Sequence, residues 1–209
     1  MVAHLRRSVL LALIFLVLFG LVYPLVGTGI AQAFFKGKAD GSITANGSTL
    51  IGQPWYSTRY FHGRPDAFGP YMPNPKNTPV CPFGVCGDNA LQTTYTKKVA
   101  DVPGNSATTN WGPRAQQLKD NTQALLQWWH QQGVSPTTDL VTTSGSGLDP
   151  DISPADARAQ IPMVAGATGI SPAALERLIA EHTHGAQLGF LGSPYVNVLE
   201  LNEALARLR

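Results

Sequence analysis

The sequence predicts an α+β fold: one N-terminal transmembrane helix followed by a single mixed α+β extramembrane domain. Three observations carry this expectation. Residues 8–35 hold no charge and are mostly aliphatic or aromatic. Residues 48–112 are dense in Gly and Pro, which break helices and leave loops with short strands. From Pro113 onward, helical periodicity and helix-start signals alternate with short apolar runs.

The helix comes first. The core of the uncharged stretch is SVLLALIFLVLFGLVYPLV, Ser8 to Val26. At about 1.5 Å per residue, roughly 20 apolar residues cross about 30 Å of hydrocarbon. Tyr23 stands near the far end, where interfacial aromatics collect, and Pro24 is tolerable close to a helix end. A cleaved signal peptide is the competing reading, with Arg6 and Arg7 as its basic start and Ala31-Gln32-Ala33 resembling a cleavage site. Signal-peptide apolar cores are about 7–15 residues long and this run exceeds them, so an uncleaved anchor is preferred. Arg6 and Arg7, with His4, precede the helix, while Lys36 and Lys38 follow it. A short basic N-terminus stays in the cytoplasm and sends the rest across. The expected division is a cytoplasmic N-terminus at 1–7, a transmembrane helix at 8–30, a juxtamembrane linker at 31–47 and a soluble, extracytoplasmic domain at 48–209.

Within that domain, a helix is expected from Pro113 to Gln132, with Pro113 in its first turn and Gly133 as its stop. Leu118, Thr122, Leu125 and Trp129 share one face. Trp128 and Trp129 put adjacent indoles on neighbouring faces, at least one of them core. Asp139–Thr142 reads as a short strand leading into SGSGLDP. Ser153-Pro154 and Ser171-Pro172 are helix starts of the cap-plus-proline kind, and Pro162 should interrupt the first of these helices. Leu188–Leu191 reads as a strand. Asn197 with Glu200 has capping-box spacing and opens a C-terminal helix.

From residue 36 onward there are 13 basic and 13 acidic residues. A net charge of zero without basic runs argues against nucleic acid as a partner. The two cysteines, Cys81 and Cys86, leave three readings open: a small disulfide loop, free thiols, or half of a metal site. The disulfide is the reading preferred. Glu181-His182-Thr183-His184 contains His-x-His, but it ends a helix ahead of Gly185, so a C-terminal capping role is expected and no metal. Ser146, Asp149 and His182 do not form a convincing hydrolase triad, because the Gly-x-Ser-x-Gly elbow is absent. His62-Gly63-Arg64-Pro65 places an always-charged fork on a turn, where Arg64 pairs either with a partner subunit or within the domain. Gly20 is a candidate for close approach of a partner helix inside the membrane.

Several ordered blocks then point to a family. They are Gly47-Ser48 with Leu50-Ile51-Gly52-Gln53; Tyr60-Phe61-His62-Gly63-Arg64-Pro65; Leu140-Val141-Thr142 into Ser144-Gly145-Ser146-Gly147-Leu148-Asp149-Pro150; Gln160-Ile161-Pro162; and Leu188-Gly189-Phe190-Leu191-Gly192 with Val196–Asn202. Together with the anchor, they resemble the KdpC family, the C subunit of the Kdp potassium-transporting P-type ATPase. Met163 departs from the family, which often has a basic residue there. The Cys81–Cys86 segment is an insertion-like departure.

The resemblance implies a non-catalytic accessory subunit in a bacterial plasma (inner) membrane. Its partners would be the channel-like subunit KdpA, the ATP-hydrolysing subunit KdpB and the single-helix subunit KdpF, with membrane lipid around the anchor. This chain has neither an Asp-Lys-Thr-Gly phosphorylation sequence nor a Walker A motif, so it is not itself the motor. One account of the family is a catalytic chaperone that raises ATP affinity through a transient complex. In that account no cofactor is bound tightly, and Ser144, Gly145, Ser146, Gly147 and Gln160 would contact nucleotide through exposed N–H groups. The other account caps the potassium entrance of the channel-like subunit without nucleotide contact. The positive-inside orientation favours the second. A stand-alone membrane-anchored solute-binding module is the remaining alternative.

Overall fold

The structure is a computed structural model that describes residues 2–44, 46–53, 55, 57–65 and 111–208. Cys81 and Cys86, and most of the 69–112 segment, lie outside the described residues. The chain divides into two compact units, Met1–Ile43 and Thr44–Arg209.

The first unit is dominated by one apolar helix, Val2–Phe34, of 33 residues, about 50 Å at helical rise. It extends past both ends of the expected 8–30 span, and Ala31–Phe34, assigned to a linker from sequence, are helical. The helix has three parts: α1 (Val2–Val17), a π-helical turn (Leu18–Val22) and α2 (Tyr23–Phe34). Pro24 therefore stands inside the helix rather than near its end. A proline ring there would collide with the carbonyl four residues back and has no N–H to give it. The π turn widens the backbone just before it, with Tyr23 N–H bonding the Leu18 carbonyl. The helix side chains are exposed along its length, so it is a surface that only an apolar environment would cover. One turn, α3 (Lys36–Ala39), follows.

β1 (Ile43–Thr44) and β2 (Gly47–Ser48) are two-residue strands. The second unit is the α+β domain. Helix α4 (Gln116–Gln131) starts three residues later than expected, because Pro113 and Arg114 form a turn. It ends as expected: Gly133 takes φ 73°, its N–H bonds the His130 carbonyl, and Val134 N–H bonds the Trp129 carbonyl. That is a Schellman stop, which needs glycine's left-handed freedom. Leu125, Trp128 and Trp129 are all buried, so both indoles are core.

Asp139–Val141 is a 3₁₀ turn rather than the expected strand. Leu140 and Val141 are both buried. A strand would have sent them to opposite faces, whereas a tight turn delivers both to the core. Trp129 Nε1 donates to the Leu140 carbonyl at 3.1 Å and holds the turn.

β3 (Asp151–Ile152) leads into α5 (Pro154–Ala159), α6 (Ile161–Thr168) and α7 (Pro172–Glu181). Pro162 splits α5 from α6 as the sequence required. Ser153 caps α5 in a full capping box with Asp156, and Asp156 also accepts from the Thr137 hydroxyl. Ser171 caps α7 through the Ala174 N–H. His182 closes α7, its Nδ1 2.9 Å from the Leu178 carbonyl, in the capping position read from sequence. β4 (Thr183–His184) and β5 (Tyr195–Asn197) complete a three-stranded antiparallel sheet in the order β3-β5-β4. Its register pairs Asp151 with Asn197 and His184 with Tyr195.

Leu188–Leu191 is not a strand. It is the tip of a tight hairpin, with Leu188 and Gly189 at φ 53° and 82°, backbone values that no extended strand contains. The last helix, α8 (Val198–Arg207), begins at Asn197, whose Oδ1 accepts the Glu200 N–H. Only half of the expected capping box forms, because the Glu200 carboxylate turns instead to His184 Nε2 at 3.1 Å.

Candidate functional site

The domain is organised around the segment Tyr60–Pro65. The sequence placed His62–Pro65 on a turn. The structure shows no turn there: Tyr60, Phe61, His62, Gly63 and Pro65 are buried. A buried, irregular backbone must find partners for its N–H and C=O groups, and two amide side chains supply them. Asn202, on the apolar face of α8, accepts the Phe61 N–H and donates to the Phe61 carbonyl, both at 2.8 Å. Gln160, between α5 and α6, does the same for His62, at 2.7 and 3.0 Å. A carboxamide carries the same donor and acceptor pair as a peptide unit, so the two side chains act as a substitute strand.

His62 fills the space between the clamps. Its ring stacks on Trp128 at 5.3 Å and tilts against Trp129 at 5.5 Å. Burial strips water from the charged form and lowers its pKa from 6.5 to about 4, partly opposed by the Ser57 carbonyl near Nε2. The imidazole is therefore a neutral core group.

Arg64 leaves the clamp and reaches the SGSG loop. One terminal nitrogen donates to the Thr143 carbonyl at 3.1 Å and lies 3.5 Å from that of Thr142. The other sits 3.5 Å from Asp149 Oδ2. Of the two partners left open by the sequence, the guanidinium contacts the domain itself. Gly52 supports the same loop from another side, its N–H bonding the Leu148 carbonyl at 2.8 Å. A Cβ on Gly52 would lie 2.6 Å from the Asp149 carbonyl oxygen, so only glycine permits this approach. Val198 N–H, at the start of α8, bonds the Pro150 carbonyl.

The loop's own polar groups are largely paired within it. Ser144 is buried and its Oγ accepts the Gly147 N–H, while Ser146 Oγ accepts the Leu148 N–H. Gly147 takes φ 69° and is buried; Gly145 is exposed with open space around it. Thus Ser144, Gly145, Ser146 and Gly147 form a self-bonded turn, and Gln160 is in the core at 0% exposure with its amide oxygen and nitrogen both engaged. The structure does not bring Gln160's amide to an open cradle with the loop.

A polar cluster closes the sheet. Asn197 Nδ2 donates to Asp151 Oδ1 and to the Thr49 carbonyl. Desolvation raises the Asp151 pKa; the Asn197 bond opposes it, and Asp149, His184 and Glu200 act at longer range. His184 stacks on Tyr195 at 4.9 Å. No group of three metal-ligating side chains occurs among the described residues.

In the membrane-length helix, Leu10, Leu13, Ile14, Val17, Leu18 and Val22 line a shallow apolar groove. Gly20 does not line it. A Cβ there would meet only Leu16, at 3.7 Å.

Sequence reasoning gave no role to Asn202, Gly52 or the Asp156–Thr137 contact. A signal for the first was present: Val198, Leu201, Asn202 and Leu205 follow the spacing of a buried helix face, and an amide interrupting such a stripe needs a partner.

The model of the family described as "K+-transporting ATPase, c chain" (KdpC) matches residues 5–207. The chain is also similar to curated proteins named potassium-transporting ATPase KdpC subunit. The one from Geobacter sulfurreducens is 42% identical, over 98% of both chains. The Koribacter versatilis protein is 41% identical, covering 95% of this chain and 92% of its own length. The Bacillus cereus protein is 39% identical, covering 93% and 90%.

Proposed function

This chain belongs to the KdpC family, and from that premise we propose that it is a non-catalytic accessory subunit of an ATP-driven potassium-transporting complex. The helix Val2–Phe34 anchors it beside the channel-like, ATP-hydrolysing and single-helix subunits, KdpA, KdpB and KdpF. The α+β domain stands on the extracytoplasmic face, where it caps the potassium entrance of the channel-like subunit and steadies the assembly. It binds no cofactor tightly and does not touch ATP.

The observation that supports the last point is the commitment of the polar groups a nucleotide would need. The N–H groups of Gly147 and Leu148 are bonded to serine hydroxyls of their own turn. Gln160 would have to abandon His62 and leave two buried backbone groups unpaired, at a cost of about 1–3 kcal/mol each. Nucleotide contact through Gly147, Leu148 or Gln160 would have to break these bonds.

Photolabelling the purified complex with an azido-ATP tests this. Label is expected on the ATP-hydrolysing subunit and not on this chain. ATP-competable label within residues 142–160 would overturn the reading in favour of the chaperone account.

A further inference from the structure

The hairpin tip at residues 187–191 is built unlike the rest of the domain. Gln187 and Leu191 exchange two backbone hydrogen bonds, at 2.8 and 2.9 Å. Gly189 N–H bonds the Ala186 carbonyl and Phe190 N–H bonds that of Gln187. The tip is thus closed and ordered by its own backbone. Yet Leu188 is 83% exposed, Phe190 75% and Leu191 48%. Leu188 and Gly189 have the two positive φ values of a type I′ turn, a place where Asn-Gly is the favoured pair. A leucine there is strained. The turn does not explain it, and neither does burial. What the leucine provides is a large apolar side chain displayed at the end of a hydrogen-bonded loop.

We infer that this tip is a docking knob that inserts Leu188 and Phe190 into an apolar pocket on the extramembrane surface of a partner subunit of the complex. The inference rests on the reading of the chain as such a subunit. Two observations favour a protein pocket over lipid. The carbonyls of Leu188, Gly189 and Phe190 accept no hydrogen bond among the described residues. Hydrocarbon has no donors for them, whereas a protein pocket has backbone and side-chain N–H groups. Residues 185–199 also contain no charge, so the loop offers no basic side chain to a lipid headgroup. An ordered aromatic and aliphatic tip with low ordering cost fits the centre of a protein interface.

The test uses the full chain co-expressed with its partner subunits and recovered through a tag on the ATP-hydrolysing subunit. Leu188→Asn and Phe190→Ser, together, are expected to lower the amount of chain retained by about tenfold, the effect of removing an interface anchor. Leu188→Asn alone suits the turn better, so it should leave the melting temperature of the chain unchanged or higher while still lowering retention. That combination separates docking from folding even if the Phe190 variant is destabilised. A photo-crosslinking residue at position 190 should join the chain to another subunit. Retention equal to wild type, or crosslinks to lipid alone, would overturn the inference. If the wild-type chain is itself not retained, the subunit reading falls, and this inference with it.

Discussion

Two segments of the domain, Tyr60–Pro65 and Gln187–Leu191, use their polar and apolar groups in opposite ways. The first buries its side chains and has its backbone paired at Phe61 and His62 by amide groups from distant helices. The second pairs only enough backbone to hold its shape and presents its apolar side chains to the outside. Both are among the sequence blocks that carry the family resemblance. The difference teaches that a recurring block has no fixed meaning. One block is there to hold the domain together, and the other faces away from it.

Substitutions sharpen this contrast by degree. Gln160→Ala or Asn202→Ala removes one clamp, opens a cavity and leaves a buried N–H and C=O unpaired. Each is expected to cost about 3–5 kcal/mol, read by denaturant unfolding of the chain in detergent. A loss under about 1 kcal/mol would show that the clamp is not what orders Tyr60–Pro65.

His62 should make stability depend on pH. Its folded pKa, about 4, is depressed below the ordinary imidazole value of 6.5, so the unfolded chain binds the proton more readily. The stabilising contribution is complete above about pH 6.5. It is lost as pH falls toward 4, by about 1.4 kcal/mol per pH unit. Asp151 works in the opposite sense, because its raised pKa favours the protonated, folded form at acid pH. Melting curves between pH 7 and 4 should therefore fall for wild type and flatten in this window for His62→Phe. A wild-type curve already as flat as the variant would contradict the neutral, buried assignment.

Gly52→Ala forces backbone apart at the SGSG loop and should cost about 1–3 kcal/mol. At the other extreme, Phe190→Ser touches no core and should change folding stability by less than about 0.5 kcal/mol.

What the sequence made legible was local chemistry. The uncharged run is one continuous stretch, and the serine caps at Ser153 and Ser171, the stop at Gly133 and the break at Pro162 each depend on residues within a turn or two. What it hid was pairing at long range. Asn202 lies 141 residues from Phe61, and Gln160 lies 98 from His62. No period or cap signal spans that distance. Short apolar runs also misled: Leu140-Val141 and Leu188–Leu191 both suggested strands. In the first, two adjacent side chains had to enter one core. In the second, glycine allowed a reversal within the run.

The central claim is that the folded domain stands across the membrane from ATP, with its SGSG loop self-contained. Gly145 is suited to test it, being exposed and surrounded by open space. Gly145→Cys, in a chain with Cys81 and Cys86 replaced by Ser, should react in intact cells with a membrane-impermeant maleimide. Reaction only after the membrane is opened, and protection there by ATP, would contradict the account.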